Sequence, residues 1–173
     1  MTSYLPKCEE HLQRLISARS ETGGAFWPSV LDVRTGRYPE GNHVPRRVYR
    51  LIGAPRGSTL YWDQPMVAAT FALSEVTANT DYARAADRYV EAFLSCCIAE
   101  NNMFQWGNHA YYDVREQRVI PFSEGHHELR PIVPAWDVFW PRAPDKTAAY
   151  IRTMADRHIY DPASGGFNRH DDG

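Results

Sequence analysis

Apolar residues recur at helical spacing in three stretches of the chain, which predicts a mainly helical protein. The first stretch ends near Ser20, before a Gly-Gly break, and its apolar face comprises Tyr4, Leu5, Cys8, Leu12, Leu15 and Ile16. The last stretch starts at Pro144, a residue that suits the first turn of a helix, and carries Thr147, Tyr150, Ile151, Met154 and His158.

The middle stretch predicts two helices that meet at a short turn after Asn79. Pro65 suits the start of the first helix, and Asp81 suits the N-cap of the second. The second helix has a wide apolar stripe made of Tyr82, Ala85, Ala86, Tyr89, Val90, Phe93 and Leu94. Because the turn is short, we expect the two helices to pack antiparallel. A further short helix is predicted within residues 132–140.

Short strand-like segments lie between these helices, at residues 25–27, 30–33, 103–106 and 110–114. Turns are expected at residues 34–37 and 115–118. Residues 38–60 are rich in Pro, Gly and Arg, which is typical either of a functional loop or of a solvated basic loop.

The ribbon segments repeat. The first half of a ribbon, here called the entry, is an aromatic or Gly-aromatic segment at residues 23–27, 103–106 and 165–167. The first two entries are followed by similar second halves, here called return segments, with the sequences LDVRTGR and YDVREQR. We expect the third entry to lack its return segment. A ribbon plus a helical hairpin, repeated about every 60 to 80 residues, must stack on its neighbours to bury its apolar face. The pattern predicts an incomplete (α/α) toroid of helical hairpins with short β-ribbons. Residues 1–173 would form a single domain, the N-terminal portion of a longer catalytic domain, and a small helical solenoid is the alternative.

The amino-acid composition argues against two classes of binding partner, nucleic acids and membranes. The chain has 173 residues, an apolar fraction of 43% and a formal net charge of -2, so it lacks the broad basic field of nucleic-acid-binding proteins. It has neither a signal-peptide pattern nor a run of about 20 apolar residues, so we expect no membrane partner. The expectation is a soluble protein, cytoplasmic as given, with a periplasmic or secreted location left open. The three cysteines have no metal-ligand spacing and are expected to be buried thiols.

The stretch from Met103 to Arg130 is where polar and aromatic side chains concentrate without a long apolar run, which predicts a functional site. Its first cluster is Asn108, His109, Tyr111 and Tyr112, and its second is His126, His127, Glu128 and Arg130. The second cluster suggests a metal, but the HEXXH spacing is absent and no second pair of ligands is visible. We therefore predict neither a metal nor another cofactor.

Alternating helical hairpins with aromatic-rich loops resemble the (α/α) toroids of carbohydrate-active enzymes. These include alginate-lyase-like polysaccharide lyases and, more distantly, N-acylglucosamine 2-epimerase-like proteins and six-hairpin glycosidases. The segment WGNHAYYD is similar to the Asn-His element of the alginate-lyase-like toroids. The resemblance implies elimination from a uronate, with Asn108 and Arg130 on the substrate carboxylate, His109 or His127 as base and Tyr112 as proton donor. In the alternative interpretation Asn108 is a turn residue and His109 is structural.

Two Trp-Asp pairs suit saccharide subsites, because sugars stack on indoles and their hydroxyls bind carboxylates. The substrate-binding candidates outside the carboxylate pair Asn108 and Arg130 are Trp62, Asp63, Trp106, Glu128, Trp136 and Asp137. Core packing of the indoles and helix capping by Asp63 are the alternative. Hydrolysis would instead need two carboxylates from Asp63, Asp137 and Glu128, roughly 5 Å or 6.5 to 9.5 Å apart.

These observations favour a carbohydrate-active enzyme that acts on an oligo- or polysaccharide, with uronate-polysaccharide elimination as the leading chemistry. The alternatives are a glycoside hydrolase or sugar epimerase of the same fold, or a non-catalytic saccharide-binding or helical-repeat module.

Overall fold

The computed structural model describes residues 4–20, 23–39, 57–106, 110–121 and 134–170. In these ranges the protein is mainly helical, which confirms the predicted fold class. The helices are α1 (Leu5–Ser20), α2 (Leu60–Thr77), α3 (Thr80–Cys96), α4 (Trp136–Phe139) and α5 (Pro144–His158). The strands are β1 (Gly57–Ser58), β2 (Tyr111–Asp113), β3 (Arg118–Ile120), β4 (Ile159–Asp161) and β5 (Gly166–Phe167). No helix in the described ranges combines the length and apolar character that crossing a bilayer requires.

Helices α2 and α3 form the predicted hairpin, but both begin earlier than the sequence suggested. Helix α2 begins at Leu60, so Pro65 lies inside it. Pro65 has no amide to donate to the carbonyl of Tyr61, and the side chain of Gln64 donates to that carbonyl instead, at 3.4 Å. The N-cap of α3 is Asn79 rather than Asp81, because the Asn79 side chain accepts a hydrogen bond from the Asp81 amide.

The core is built largely from aromatic rings. The apolar stripe of α3 is buried as predicted. The Phe104 ring stacks on Tyr150 of α5 with 3.9 Å between ring centroids, and both rings contact Trp106. Phe139 of α4 packs edge-on against Phe104. One aromatic cluster therefore joins α3, α4, α5 and the segment that follows α3.

Helix α1 buries a narrower face than its sequence pattern predicts. Leu12 and Leu15 are buried, whereas Tyr4 and Cys8, which were expected on the same face, are exposed. Cys96 is exposed as well, so of the three thiols expected to be buried only Cys97 is. Two early residues of the apolar pattern, Tyr4 and Cys8, therefore do not belong to the buried core of the described protein.

Strands β1, β2 and β3 form a small antiparallel sheet in that order. Tyr112 in the central strand pairs with Ser58 on one side and with Val119 on the other. The strands expected at residues 25–27, 30–33 and 103–106 are not formed, and isolated bridges such as Asp32 with Arg37 take their place. Pro28 has no amide for a ladder, and the backbone amide of Ser29 makes a single hydrogen bond to the carbonyl of Gly57 in β1.

One turn geometry occurs three times. Asp32, Asp113 and Asp161 each use a carboxylate oxygen to accept the backbone amides two and three residues further on. In each turn the fourth residue after the aspartate has a positive φ, and the fifth pairs with the aspartate across the turn. The third turn, Asp161 to Gly166, therefore has the geometry of the two predicted turns. Gly165-Gly166 belongs to that turn and is not an entry segment.

Candidate functional site

The structure describes about half of the residues predicted for the site. Tyr112 and the substrate-binding candidates Trp62, Asp63, Trp106, Trp136 and Asp137 lie in described ranges. The remaining candidates lie outside them, and these are Asn108, His109, His126, His127, Glu128 and Arg130. Within the described ranges, no three His, Cys, Asp or Glu side chains come together in a way that could hold a metal ion.

Tyr112 is held in the middle of the three-stranded sheet. Its ring stacks on Phe26 with 4.2 Å between centroids and an interplanar angle of 24°. Partial burial raises the pKa of the Tyr112 phenol above its ordinary value of 10.0, and the neighbouring thiols Cys96 and Cys97 raise it further when they are charged. The phenol therefore keeps its proton at neutral pH, which is the state that a proton donor needs.

Asp63 lies in the first turn of α2 and is buried in a polar network. Its carboxylate accepts hydrogen bonds from the Ser29 hydroxyl at 2.7 Å and from the Tyr89 hydroxyl at 2.5 Å. The backbone amide of Thr59, the N-cap residue of α2, is shared between this carboxylate and the Ser29 hydroxyl oxygen, which lies 2.9 Å from it. The Ser58 hydroxyl lies 2.8 Å from that of Tyr89 and donates to it, because the Tyr89 proton is engaged with Asp63.

Desolvation has the largest effect on the pKa of Asp63. Burial raises the pKa of the carboxyl from 3.8 to about 7, although the hydrogen bonds from Tyr89, Ser29 and Thr59 each lower it. Burial and the nearby Asp63 charge hold the pKa of Tyr89 well above 10. The N-cap of α2 is Thr59, so Asp63 is not the helix cap that the alternative interpretation expected, and it lies inside the first turn instead. A direct role of Asp63 with substrate stays a prediction.

The sequence did not predict Ser29, Ser58 and Tyr89 as functional residues. Tyr89 follows the helical period of the α3 stripe, which gives no sign of a polar partner for its hydroxyl. Only the tertiary fold brings Ser58 next to this phenol and Ser29 next to Asp63. The network lies close to Tyr112, because Phe26 packs edge-on against Tyr89 at 5.3 Å and stacks on Tyr112 with its own ring.

The two Trp-Asp pairs are brought together by a hydrogen bond between the segments that carry them. The side-chain oxygen of Gln64, the neighbour of Asp63, accepts the amide of Ala135, the neighbour of Trp136, at 2.7 Å. The side chains of Trp62 and Trp136 are partly exposed, and Asp137 is exposed. Both partly exposed indoles could offer a surface to a sugar.

Trp106 differs from the other two indoles because it is a core residue. It is only 3% exposed. Its ring packs edge-on against Tyr61 at 5.6 Å and against Tyr150 at 6.0 Å. In this arrangement the indole supports the residues around it and presents little surface to a ligand.

A comparison with known families identifies the class of protein to which this chain belongs. A family model described as periplasmic pectate lyase matches residues 58–173, about two thirds of the chain. The matched region contains Tyr112, both Trp-Asp pairs, the Met103–Arg130 stretch and the strands and helices from α2 onward. The match places the protein among the polysaccharide lyases. More particularly, the chain belongs to the periplasmic pectate lyase family.

Proposed function

We propose that this protein cleaves a uronate polysaccharide by β-elimination and that pectate is the substrate. The observation that carries the proposal is the family match over residues 58–173, which includes the ribbon that holds Tyr112. A periplasmic location is part of the proposal, because the family is described as periplasmic.

The first step of the reaction is removal of the proton on C5, which is alpha to the uronate carboxylate. Neutralising that carboxylate makes the proton easier to remove, and the amide of Asn108 and the guanidinium of Arg130 are the residues proposed to do so. His109 or His127 accepts the proton as the general base. These four residues lie outside the described ranges, so their roles are argued from residue type and from their place in the sequence.

The second step is departure of the oxygen on C4. As the C4–O bond breaks, the electron pair from the C5–H bond forms the C4=C5 double bond, and the leaving oxygen takes a proton. Tyr112 is proposed as the donor of that proton. Its phenol is protonated at neutral pH, and stacking on Phe26 fixes the plane of its ring.

Binding of neighbouring sugar units is proposed for Trp62 and Trp136. Both indoles are partly exposed, and the bond from Ala135 to Gln64 links the segments that carry them. Asp137 is exposed and suits sugar hydroxyls, and Glu128 is proposed for the same role from its place in the sequence. Asp63 would act mainly by fixing the start of α2 beside Trp62.

The fold proposed to go with this activity is the toroid of helical hairpins. The α2–α3 hairpin lies between the first two of the three turns that share one geometry, and α4 and α5 lie between the second and the third. This alternation of turns and helices is what a toroid would repeat.

The proposal is tested by adding the 173-residue protein to polygalacturonate and following the ultraviolet absorbance of the unsaturated uronate. We expect absorbance to rise together with new reducing ends. New reducing ends without absorbance would instead show hydrolysis. Binding without any turnover would point to a non-catalytic module, and either outcome would overturn the proposal.

The role of Tyr112 is tested with a matched pair of variants. Tyr112→Phe keeps the ring that stacks on Phe26 and removes only the hydroxyl, so we expect the elimination rate to fall by about 10²-fold or more. Tyr111→Phe is the control, because neighbouring strand residues point to opposite faces of the sheet. Equal losses in the two variants would contradict a specific role for Tyr112.

A further inference from the structure

A polar and aromatic cleft that Tyr112 does not line lies between α1, the start of α2 and residues 27–33. The cleft has a volume of about 330 Å³. Its walls include His11 and Arg14 from α1, Trp27 and Ser29 from the connecting segment, and Trp62 and Asp63 from α2. Tyr112 is not among the residues that line it.

Arg14 is held at this cleft by two contacts. One guanidinium nitrogen pairs with Glu10 at 2.5 Å, and the other donates to the Val33 carbonyl at 3.4 Å. The side chain is 46% exposed, so the guanidinium remains accessible to a ligand. Because a guanidinium has five N–H donors, these two bonds leave donors for a carboxylate.

The remaining walls match a sugar ring. The Trp62 indole is partly exposed and packs edge-on against Tyr61 at 5.1 Å, which fixes its orientation. The Ser29 hydroxyl is fixed as well, because it donates to Asp63 and accepts the amide of Thr59 at 2.9 Å. An indole beside oriented oxygen groups is the combination that binds the C–H faces and hydroxyls of a saccharide.

Size and charge define the ligand further. Small-molecule sites range over about 300 to 1,000 Å³, and this cleft lies at the lower end, so it suits a single sugar residue better than a long chain. Arg14 and His11 add groups that bind an acidic sugar. A neutral sugar would leave this part of the site unused.

We propose that the cleft bounded by Arg14, Trp62 and Ser29 binds one uronate residue of the substrate polysaccharide next to the residue that is cleaved, through side chains that do not include Tyr112. The choice of uronate rests on the proposed pectate lyase function. The side chains from α1 and from residues 27–33 precede the region that the family model matches, so the family match does not assign this site.

The test compares an acidic disaccharide with its neutral counterpart. Calorimetric titration with digalacturonate and with galactobiose is performed on the unaltered protein, on Arg14→Gln and on Arg84→Gln. Arg84 is the matched control, because it also forms an exposed helical ion pair, with Asp81, and does not line the cleft. We expect Arg14→Gln to weaken digalacturonate binding by about tenfold or more, as loss of a charged hydrogen bond does. Galactobiose affinity should stay the same in all three proteins.

The indole is tested by tryptophan fluorescence. Digalacturonate should shift the emission of the unaltered protein, and Trp62→Phe, which keeps an aromatic ring, should reduce both the shift and the affinity. Thermal melts followed by circular dichroism verify that each variant is folded. Unchanged digalacturonate affinity in Arg14→Gln, or no binding by the unaltered protein, would overturn the proposed site.

The two proposals fail in different ways. If Arg14→Gln weakens digalacturonate binding but the unaltered protein forms no unsaturated product, the cleft proposal stands and the lyase proposal fails. The unaltered protein and Arg14→Gln could instead bind digalacturonate equally tightly while the unaltered protein forms unsaturated product. In that case the lyase proposal stands and the cleft proposal fails.

Discussion

Asp63 shows how tertiary burial changes the chemistry of a single residue. Ser29, Tyr89 and the amide of Thr59 all donate to its carboxylate, and each of these bonds favours the charged form. Burial favours the neutral form more strongly, and the pKa rises to about 7. The carboxyl therefore changes its charge close to neutral pH.

This shift predicts a pH-dependent stability. Between pH 4 and 7 the folded chain keeps a proton on Asp63 that the unfolded chain releases, because the folded pKa of about 7 exceeds the ordinary 3.8. Protonation of Asp63 therefore contributes at most roughly 4 kcal/mol to the free energy of unfolding. This contribution is complete below about pH 4 and is lost as the pH rises through 7. Urea unfolding at a series of pH values should show this loss in the unaltered protein.

The variant Asp63→Asn should flatten that part of the profile, because the amide cannot titrate. Asp137→Asn is its control, since Asp137 is an exposed carboxylate also near the start of a helix. A profile that falls equally steeply in Asp63→Asn would mean that another group causes the pH dependence.

The two neighbouring thiols at the end of α3 should differ in reactivity. Cys96 is exposed, and the hydrogen bond from Cys97 lowers the pKa of Cys96 to about 7, whereas Cys97 is buried and its pKa is raised. Since the thiolate is the reactive form, we expect iodoacetamide at pH 7 to alkylate Cys96 well before Cys97. Peptide mass spectrometry after timed quenching measures this, and a Cys96→Ser variant identifies the site. Equal rates at the two positions would contradict the assignment.

Among the elements, the three turns share a requirement for a left-handed backbone at one position. Gly36, Gln117 and Gly165 occupy it with φ values of 68°, 51° and 72°. Glycine adopts this conformation without strain, so the backbone is less strained at Gly36 and Gly165 than at Gln117.

Gly165→Ala should lower the free energy of unfolding by about 1 to 2 kcal/mol. A Cβ at Gly165 would meet no atom within 4 Å, so the cost comes from the backbone alone. Gln117→Gly changes the corresponding position in the opposite sense and should not lower stability. Urea denaturation of both variants provides the measurement, and a loss of stability in Gln117→Gly larger than in Gly165→Ala would refute the shared geometry.

For the whole molecule, Arg142 joins three helices that the sequence separates. Its guanidinium pairs with Asp87 of α3, donates to the Val138 carbonyl of α4 at 2.7 Å, and lies 4.9 Å from the centre of the Phe71 ring of α2. The side chain is only 23% exposed, so solvent screens these contacts less than it screens a surface ion pair.

Arg142→Lys should therefore lower the free energy of unfolding by about 1 to 2 kcal/mol, because an ammonium cannot reproduce the planar contacts. Arg84→Lys, in an exposed pair with Asp81, should change it by at most about 0.5 kcal/mol. Thermal and urea unfolding of the two variants compare these effects. A cost for Arg84→Lys equal to that for Arg142→Lys would show that the contacts of Arg142 contribute nothing specific.

The sequence by itself determined the helices with a regular apolar period, because that period reflects burial of one helix face. It predicted the α2–α3 hairpin, the start of α5 at Pro144 and the turns after Asp32 and Asp113. It misplaced the start of α2, because Pro65 normally begins a helix, whereas here it lies inside one and the Gln64 side chain donates to the Tyr61 carbonyl. The toroid and the N-terminal place of the chain within a longer domain stay predictions.

The sequence also located the polar stretch around Tyr112 and both Trp-Asp pairs, because such residues are uncommon in a plain core. Only the tertiary structure decided which of them are accessible: it buried Trp106 and Asp63 and left Trp62 and Trp136 partly exposed. It also placed Ser29 and Tyr89 on one carboxylate, and Arg14 and Trp62 on the walls of one cleft. These contacts join residues far apart in the chain, and local periodicity carries no information about which distant side chains the packing of helices will bring together.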